Sequence, residues 1–382
     1  MKIGLYTDSF VPVVDGVGRV VLSYAKTLSQ MGHETAVFAP RAAHPLEPYP
    51  FDIVTFRAFS VPNFQYRVGV PQWDMGFTRQ SRHTELDIAH VHDPFLVGRA
   101  GLQYAKRHGI PLVGTFHSKY YDDFLQIVKS KGLARFGSRQ VARFYEQCDE
   151  VWAVTEASAK TLREYGYRGQ IIVMPNGTEV RNLDASILPE LRSRFSIHQN
   201  IPLLLYVGQM NWKKNIRRSL EAVRDLKGEG IRLQMLLAGK GPHQSEIERV
   251  IAAFGLSDCV RLTGHLQTAK ELDGLYSLAD LFVFPSLYDN GPMVVREAAA
   301  MGTPSLLIQN SSAAESIRDG YNGFTCEDST ESIATTIRYV VKNKEIRDAV
   351  GQAAAGTIPV AWTAIMERVL ARYSALMEKR RV

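Results

Sequence analysis

The sequence predicts an α/β protein of two domains, each built on a parallel β-sheet. Short apolar runs bounded by Gly, Pro, Asn or Asp alternate with helix-period segments along the chain, the pattern of strand–helix crossovers that parallel sheets require. With 382 residues, 45% hydrophobic and 22% charged, the chain is long enough for two cores of about 100 to 200 residues each. The alternation pauses between Thr178 and Asn200, where charge is mixed and no strand pattern shows, and resumes at Pro202.

Lys2 to Thr7 reads as the first strand, followed by the loop Asp8 to Gly18, a helix ending near Gly32, and a strand at Thr35 to Phe38. Further strands are expected at Ile53 to Arg57, Ile88 to His92, Pro111 to Phe116, Val151 to Thr155 and Ile171 to Met174. These form one amino-terminal sheet. A second set runs through Pro202 to Gly208, Leu233 to Gly239, Val260 to Gly264, Leu281 to Ser286, Ser305 to Ile308 and Gly323 to Cys326. Pro359 to Arg380 is helical in period.

The stretch Asp289-Asn-Gly-Pro-Met-Val-Val-Arg-Glu297 carries the most chemistry. It joins the buried strand Leu281 to Ser286 to an Ala-rich helix from Val294 to Met301, closed by Gly302 and stopped by Pro304. Asp289 then lies in the loop at the strand's carboxyl end, the edge where open parallel sheets bind ligands, and Glu297 lies on the following helix. The amides of Gly291, Met293 and Val294 are first-turn donors suited to an anion, while a carboxylate a turn or two along accepts from paired hydroxyls such as a ribose presents. A sugar nucleotide fits this set; so does an ordinary capped helix whose acids face water.

The segment resembles the Glu-x7-Glu signature of retaining glycosyltransferases of family four, with Asp289 in place of the first Glu. The likeness extends over nearly the whole chain. It implies the GT-B fold, two Rossmann-like domains facing across a cleft: residues 1–185 with the final helix 359–382 on the acceptor side, and residues 186–358 binding the nucleotide sugar. By the resemblance Glu297 holds the ribose hydroxyls, Asp289 holds hydroxyls of the transferred sugar, and Asn290, Gly291, Pro292, Met293 and Val294 lie against the donor. Val207-Gly-Gln-Met-Asn-Trp-Lys-Lys-Asn215 is similar to the family's Gly-Arg-x-x-x-x-Lys-Asn/Gly motif, which binds the diphosphate. Lys214 matches; Gln209 stands where Arg is usual, a loss for which Lys213 or Lys240 is a candidate substitute.

In the first domain, Asp15-Gly-Val-Gly18 opens a helix, and the family's glycine-containing loop at this place faces the donor phosphates, which points to Gly16 and Val17. His117, in Thr115-Phe-His-Ser-Lys-Tyr-Tyr-Asp-Asp-Phe124, falls where family members carry a His that contacts the donor sugar and the reacting centre. His92, Asp93, Lys119 and Tyr120 are expected to line the acceptor side.

No Asp-x-Asp pair of the kind that holds a metal on a diphosphate is present in the sequence, so helix amides and Lys214 are expected to neutralise the leaving group without metal or other cofactor. No carboxylate stands where a double displacement needs its nucleophile, and the resemblance implies front-face substitution. The donor implied is a nucleoside-diphosphate sugar, UDP-glucose foremost. Cys148, Cys259 and Cys326 fit neither a metal site nor a disulfide framework, which points to a reducing cytosol. The amino-terminal apolar run is too short for a signal sequence, and nothing approaches the roughly 18 apolar residues of a spanning helix. The net charge of +6 favours an anionic partner, and nucleic acid is not expected.

Residues 115–124 are more similar to diacylglycerol glucosyltransferases of the family than to those using soluble acceptors. The following stretch to Phe144 holds Lys129, Lys131, Arg135, Arg139 and Arg143 without an acid, interleaved with Leu125, Ile127, Val128, Leu133, Phe136, Val141 and Phe144. Such a segment lies on an anionic membrane or forms two surface helices packed on the sheet. The expected acceptor is a membrane lipid such as diacylglycerol, met at the inner face of the plasma membrane. Alternatives are phosphatidylinositol or a soluble sugar as acceptor, a sugar-nucleotide epimerase, and a non-catalytic binding paralogue.

Overall fold

The structure, a computed structural model, describes residues 1–11, 16–42, 48–60, 67–179, 181–266 and 268–381. The first nine strands are β1 (Lys2–Tyr6), β2 (Glu34–Pro40), β3 (Asp52–Phe56), β4 (Phe59–Ser60), β5 (Arg67–Val68), β6 (Ile88–Val91), β7 (Leu112–Phe116), β8 (Glu150–Ala153) and β9 (Ile171–Val173). Seven of them pair parallel in the order β3-β2-β1-β6-β7-β8-β9, and β4 with β5 makes a small antiparallel pair. The central strands are buried along their length because helices cover both faces, which is why they read as unbroken apolar runs.

The second sheet contains β10 (Leu203–Val207), β11 (Gln234–Ala238), β12 (Val260–Gly264), β13 (Leu281–Phe284), β14 (Ser305–Ile308) and β15 (Phe324–Cys326), parallel in the order β12-β11-β10-β13-β14-β15. In each sheet the chain runs outward from a central strand, returns, and continues on the other side. That reversal falls between β1 and β6 in the first sheet and between β10 and β13 in the second, and both strand orders are Rossmann-like.

The chain divides into two compact units, Met1–Gly177 with Trp362–Val382 and Thr178–Ala361. The first unit ends at Gly177 where the sequence reading placed residue 185, because the next residues are tied to the second unit. Arg181 forms a forked pair with Asp273 at 2.6 and 2.8 Å, Asp184 pairs with Lys270 at 2.6 Å, and the Thr178 amide donates to the Val360 carbonyl at 2.7 Å. Residues 188–195, within the stretch where no strand pattern shows, form a helix that packs on helix Ala269–Leu278.

The final helix, Trp362–Arg381, starts three residues later than expected and belongs to the first unit. Its Trp362 ring meets Tyr24 of helix Gly16–Gln30 edge-on at 5.6 Å, and Tyr373 stacks on Trp152 at 5.7 Å. A Cβ on Gly177 would lie 2.4 Å from Trp362 Cδ2, so glycine is required for the indole to lie against the chain.

The basic stretch after His117 forms two helices, Tyr120–Val128 and Lys131–Tyr145, broken at Lys129 in the left-handed region with φ of 50°. Val141 and Phe144 are core residues here, facing the sheet and not a membrane. Ile127, Val128, Leu133 and Phe136 are exposed by 65, 41, 59 and 60%. No helix among the described residues is long and apolar enough to cross a membrane.

Candidate active site

In the second unit the ligand edge of the sheet is set by the loops that leave β10 and β13. The β10 loop is fastened by its neighbours: Asn215, at φ of 60°, donates to the Pro285 carbonyl at 3.2 Å and to Asp328 at 2.8 Å, and Asn211 accepts from the Lys213 amide at 3.1 Å. Gly239 follows β11 at φ of 135°, where a Cβ would lie 2.0 Å from the Gly208 carbonyl, so the two loops touch backbone to backbone. Lys214 is thereby held beside the β13 loop.

Its ammonium lies 2.6 Å from Asp289 Oδ1, and the Ser286 hydroxyl donates to Oδ2 at 2.5 Å. Tyr288 offers its ring face to both lysines, with Lys213 and Lys214 each 5.2 Å from the centroid. Gln209 sits on the same loop, its carbonyl accepting from Tyr206 at 3.1 Å. Gly291 turns the β13 loop at φ of 52° into helix Met293–Ala300, whose N-cap Pro292 has no side-chain oxygen to satisfy the first-turn amides. Glu297 lies in the second turn, only 6% exposed, and accepts from the Tyr276 hydroxyl at 3.2 Å. Tyr276 is held in turn through its carbonyl by Thr303 at 2.5 Å. A cation, helix-start amides and two carboxylates thus share one loop–helix junction, a set suited to phosphate and vicinal hydroxyls.

In the first unit the corresponding edge lies at the ends of β1, β6 and β7. Asp93 Oδ2 accepts from the Thr7 hydroxyl and the Asp8 amide, both at 2.9 Å, so this carboxylate joins the ends of β1 and β6. Burial pushes the neighbouring Asp8 carboxyl well above the usual carboxylate range, and the Asp93 charge adds to it. His92 Nδ1 lies 3.0 Å from His117 Nε2, and His90 lies 2.6 Å from the Tyr373 hydroxyl and 2.7 Å from Thr115 Oγ1. Burial depresses all three imidazoles, His117 to about 3, and keeps them neutral at physiological pH.

Several expected roles change here. His92 is fully buried and contacts His117, so it lines no accessible acceptor surface; Asp93 is engaged as a strand tie. Tyr120 packs in the core against Phe95 and Phe116 at 5.1 and 5.7 Å, because its ring faces the sheet. Lys119 borders a groove with Asp122, Arg135 and Arg139. Gly16 starts its helix exposed and Val17 is half-buried, while Asp15 of the same motif lies outside the described residues. A Cβ on Gly16 would meet nothing within 4 Å, so packing among the described residues does not demand glycine there. Asp8, Ser286 and Tyr276 were not singled out from sequence. Asp8 shares with Asp289 the place just beyond a strand's carboxyl end, a signal that was present.

The halves also match known proteins. Residues 14–182 match Glycosyltransferase Family 4, and residues 189–357 match Glycosyl transferases group 1. The chain is a family-four glycosyltransferase. An alpha-monoglucosyldiacylglycerol synthase of Streptococcus pneumoniae is 27% identical over 318 residues, 80% of this glycosyltransferase and 70% of the relative. A second protein of that name, from Acholeplasma laidlawii, is 21% identical over 360 residues, 91% of this chain and 89% of the relative. The crystal structure of the Anabaena protein HepE with UDP-glucose superposes with a TM-score of 0.79 at 17% identity, covering 98% of this glycosyltransferase and 100% of that chain. The fold is GT-B.

Proposed function

We propose that this glycosyltransferase is retaining and metal-independent, and that it moves glucose from UDP-glucose to a hydroxyl of a membrane lipid, diacylglycerol. The observation that carries the donor half is the convergence of Lys214, Asp289, the Asn290–Val294 loop and Glu297 on the switch-point edge of the second sheet. Glu297 accepts the ribose hydroxyls, Lys214 and the helix-start amides receive the diphosphate, and Asp289 holds glucose hydroxyls. The loop Gly264 to Leu266 meets the base. HepE, crystallised with UDP-glucose, supports this choice of donor.

The bond from the anomeric carbon to the diphosphate oxygen breaks with its electron pair leaving on oxygen. Negative charge therefore grows beside Lys214, where a preorganised cation lowers the barrier. The acceptor hydroxyl attacks the same face, and its proton passes to the departing phosphate oxygen. The new bond keeps the anomeric configuration. His117, neutral at the end of β7, contacts the sugar.

The acceptor half rests on the exposed apolar side chains Ile127, Val128, Leu133 and Phe136, set among exposed Lys129, Lys131, Arg135 and Arg139. Apolar side chains flanked by cations suit an anionic bilayer, each cation near the surface contributing about 1 kcal/mol. The names of the two relatives point to the same acceptor class. The test is co-sedimentation with vesicles containing phosphatidylglycerol at low and high salt, with activity assayed on dispersed diacylglycerol against soluble sugars. Charge reversal at Lys129, Lys131 and Arg135 is expected to abolish vesicle binding and glucolipid formation. Full activity on a soluble sugar with no vesicle binding sinks the lipid acceptor and leaves the glycosyltransferase standing.

A further inference from the structure

Three imidazoles stand in a row at the carboxyl edge of the first sheet, and their hydrogen bonds determine where each proton sits. His90 and His92 stack at 4.2 Å, and His92 and His117 at 5.2 Å. The His92 Nδ1 to His117 Nε2 contact of 3.0 Å joins two neutral rings, so one nitrogen donates and the other accepts. The other nitrogen of His92, Nε2, is buried and has no hydrogen-bond partner among the described residues.

That decides the direction. If His92 carried its proton on Nε2, a buried N–H would have no acceptor, an arrangement folded proteins rarely tolerate; a bare lone pair there is the lesser penalty. The proton therefore sits on Nδ1 and is donated to His117 Nε2. With Nε2 accepting, the proton of His117 is on Nδ1.

We propose that His92 is a positioning residue that fixes His117 as its Nδ1–H tautomer, so that the imidazole donates to a sugar oxygen of the donor substrate and does not accept from one. The part concerning the sugar rests on the functional reading above. Tyr24 closes the other side of the pair, its ring edge-on to His92 at 5.2 Å. The row is anchored at its far end by the final helix: the Tyr373 hydroxyl, a phenol raised far above its usual range by burial, lies 2.6 Å from His90 Nδ1, and His90 Nε2 lies 2.7 Å from Oγ1 of Thr115, two residues before His117. The final helix of the chain thereby fixes the strand end that carries His117.

The test is two-bond proton–nitrogen correlation NMR on histidine-labelled full-length protein, assigning His117 by its loss in His117→Ala. A protonated Nδ1 and bare Nε2 on His117 are expected. His92→Asn, whose amide nitrogen takes the place of Nδ1, is expected to keep that tautomer and most of kcat. His92→Phe fills the space without a donor and is expected to shift His117 toward Nε2–H and lower kcat by about ten- to a hundredfold, with UDP affinity unchanged. A His117 protonated on Nε2 in the native protein overturns the proposal, as does a His92→Phe variant that folds with tautomer and kcat unaltered. Expected tautomers together with a fully active His117→Ala would instead overturn the sugar contact.

Discussion

A lysine held 2.6 Å from a carboxylate is a neutralised pair, and under the proposed function the pairing of Lys214 with Asp289 is what a bound diphosphate must share. Asp289→Ala removes a sugar partner and releases the cation at once. We expect kcat to fall by the equivalent of about 1.5–3 kcal/mol, the range for a hydrogen bond to a charged group. The affinity for UDP should hold or tighten, as read by titration calorimetry. Equal losses in both would mean that Asp289 serves only to place Lys214. Asp8 carries a different consequence. Its carboxyl keeps a proton in the folded chain that an ordinary Asp releases near pH 3.8, because it is buried beside Asp93. Above that pH the folded state binds more protons than the unfolded one, so this group makes stability fall as pH rises. Asp8→Asn should therefore raise the melting temperature at pH 7, with the gain shrinking to nothing below about pH 3.8; a variant less stable at neutral pH would show that the Asp8 charge is favourable.

The elements were largely legible because buried parallel strands read as apolar runs, and the helix after β13 was legible from its Ala content and the Gly302 stop, which the structure places at φ of 76°. The two helices of 120–145 were harder. Val141 and Leu133 look alike in sequence, and only the side of the helix that meets the sheet makes one core and leaves the other 59% exposed. The break at Lys129 has no glycine to announce it. The domain end was misplaced for a similar reason: Arg181 belongs to the second unit through Asp273, a partner 92 residues away that no local pattern reveals. Candidate site residues that stand at strand ends, such as Lys214, Asp289 and His117, could be proposed one at a time. The supports Ser286 and Tyr276 are defined by contacts and not by type, and so emerged only from the fold; His92 stood out as a strand-end residue, but its contact with His117 did not.

For the whole molecule, the two units carry separate cores and separate halves of the proposed chemistry, so they should answer to different ligands. In the proposed function UDP meets the second unit through the loops after β10 and β13, and an anionic bilayer meets the helices Tyr120–Val128 and Lys131–Tyr145 of the first. Amide exchange separates the two because local opening of each segment is governed by its own contacts. UDP alone should slow exchange in residues 208–215 and 289–297 and leave residues 120–145 unchanged. Vesicles containing phosphatidylglycerol should do the reverse, and the protection they give should fade at high salt as the exposed cations are screened. Two results would refute this division of labour: protection of residues 120–145 by UDP alone, which would place nucleotide contacts in the first unit, or vesicle protection of residues 208–215, which would make the donor loops part of the membrane surface.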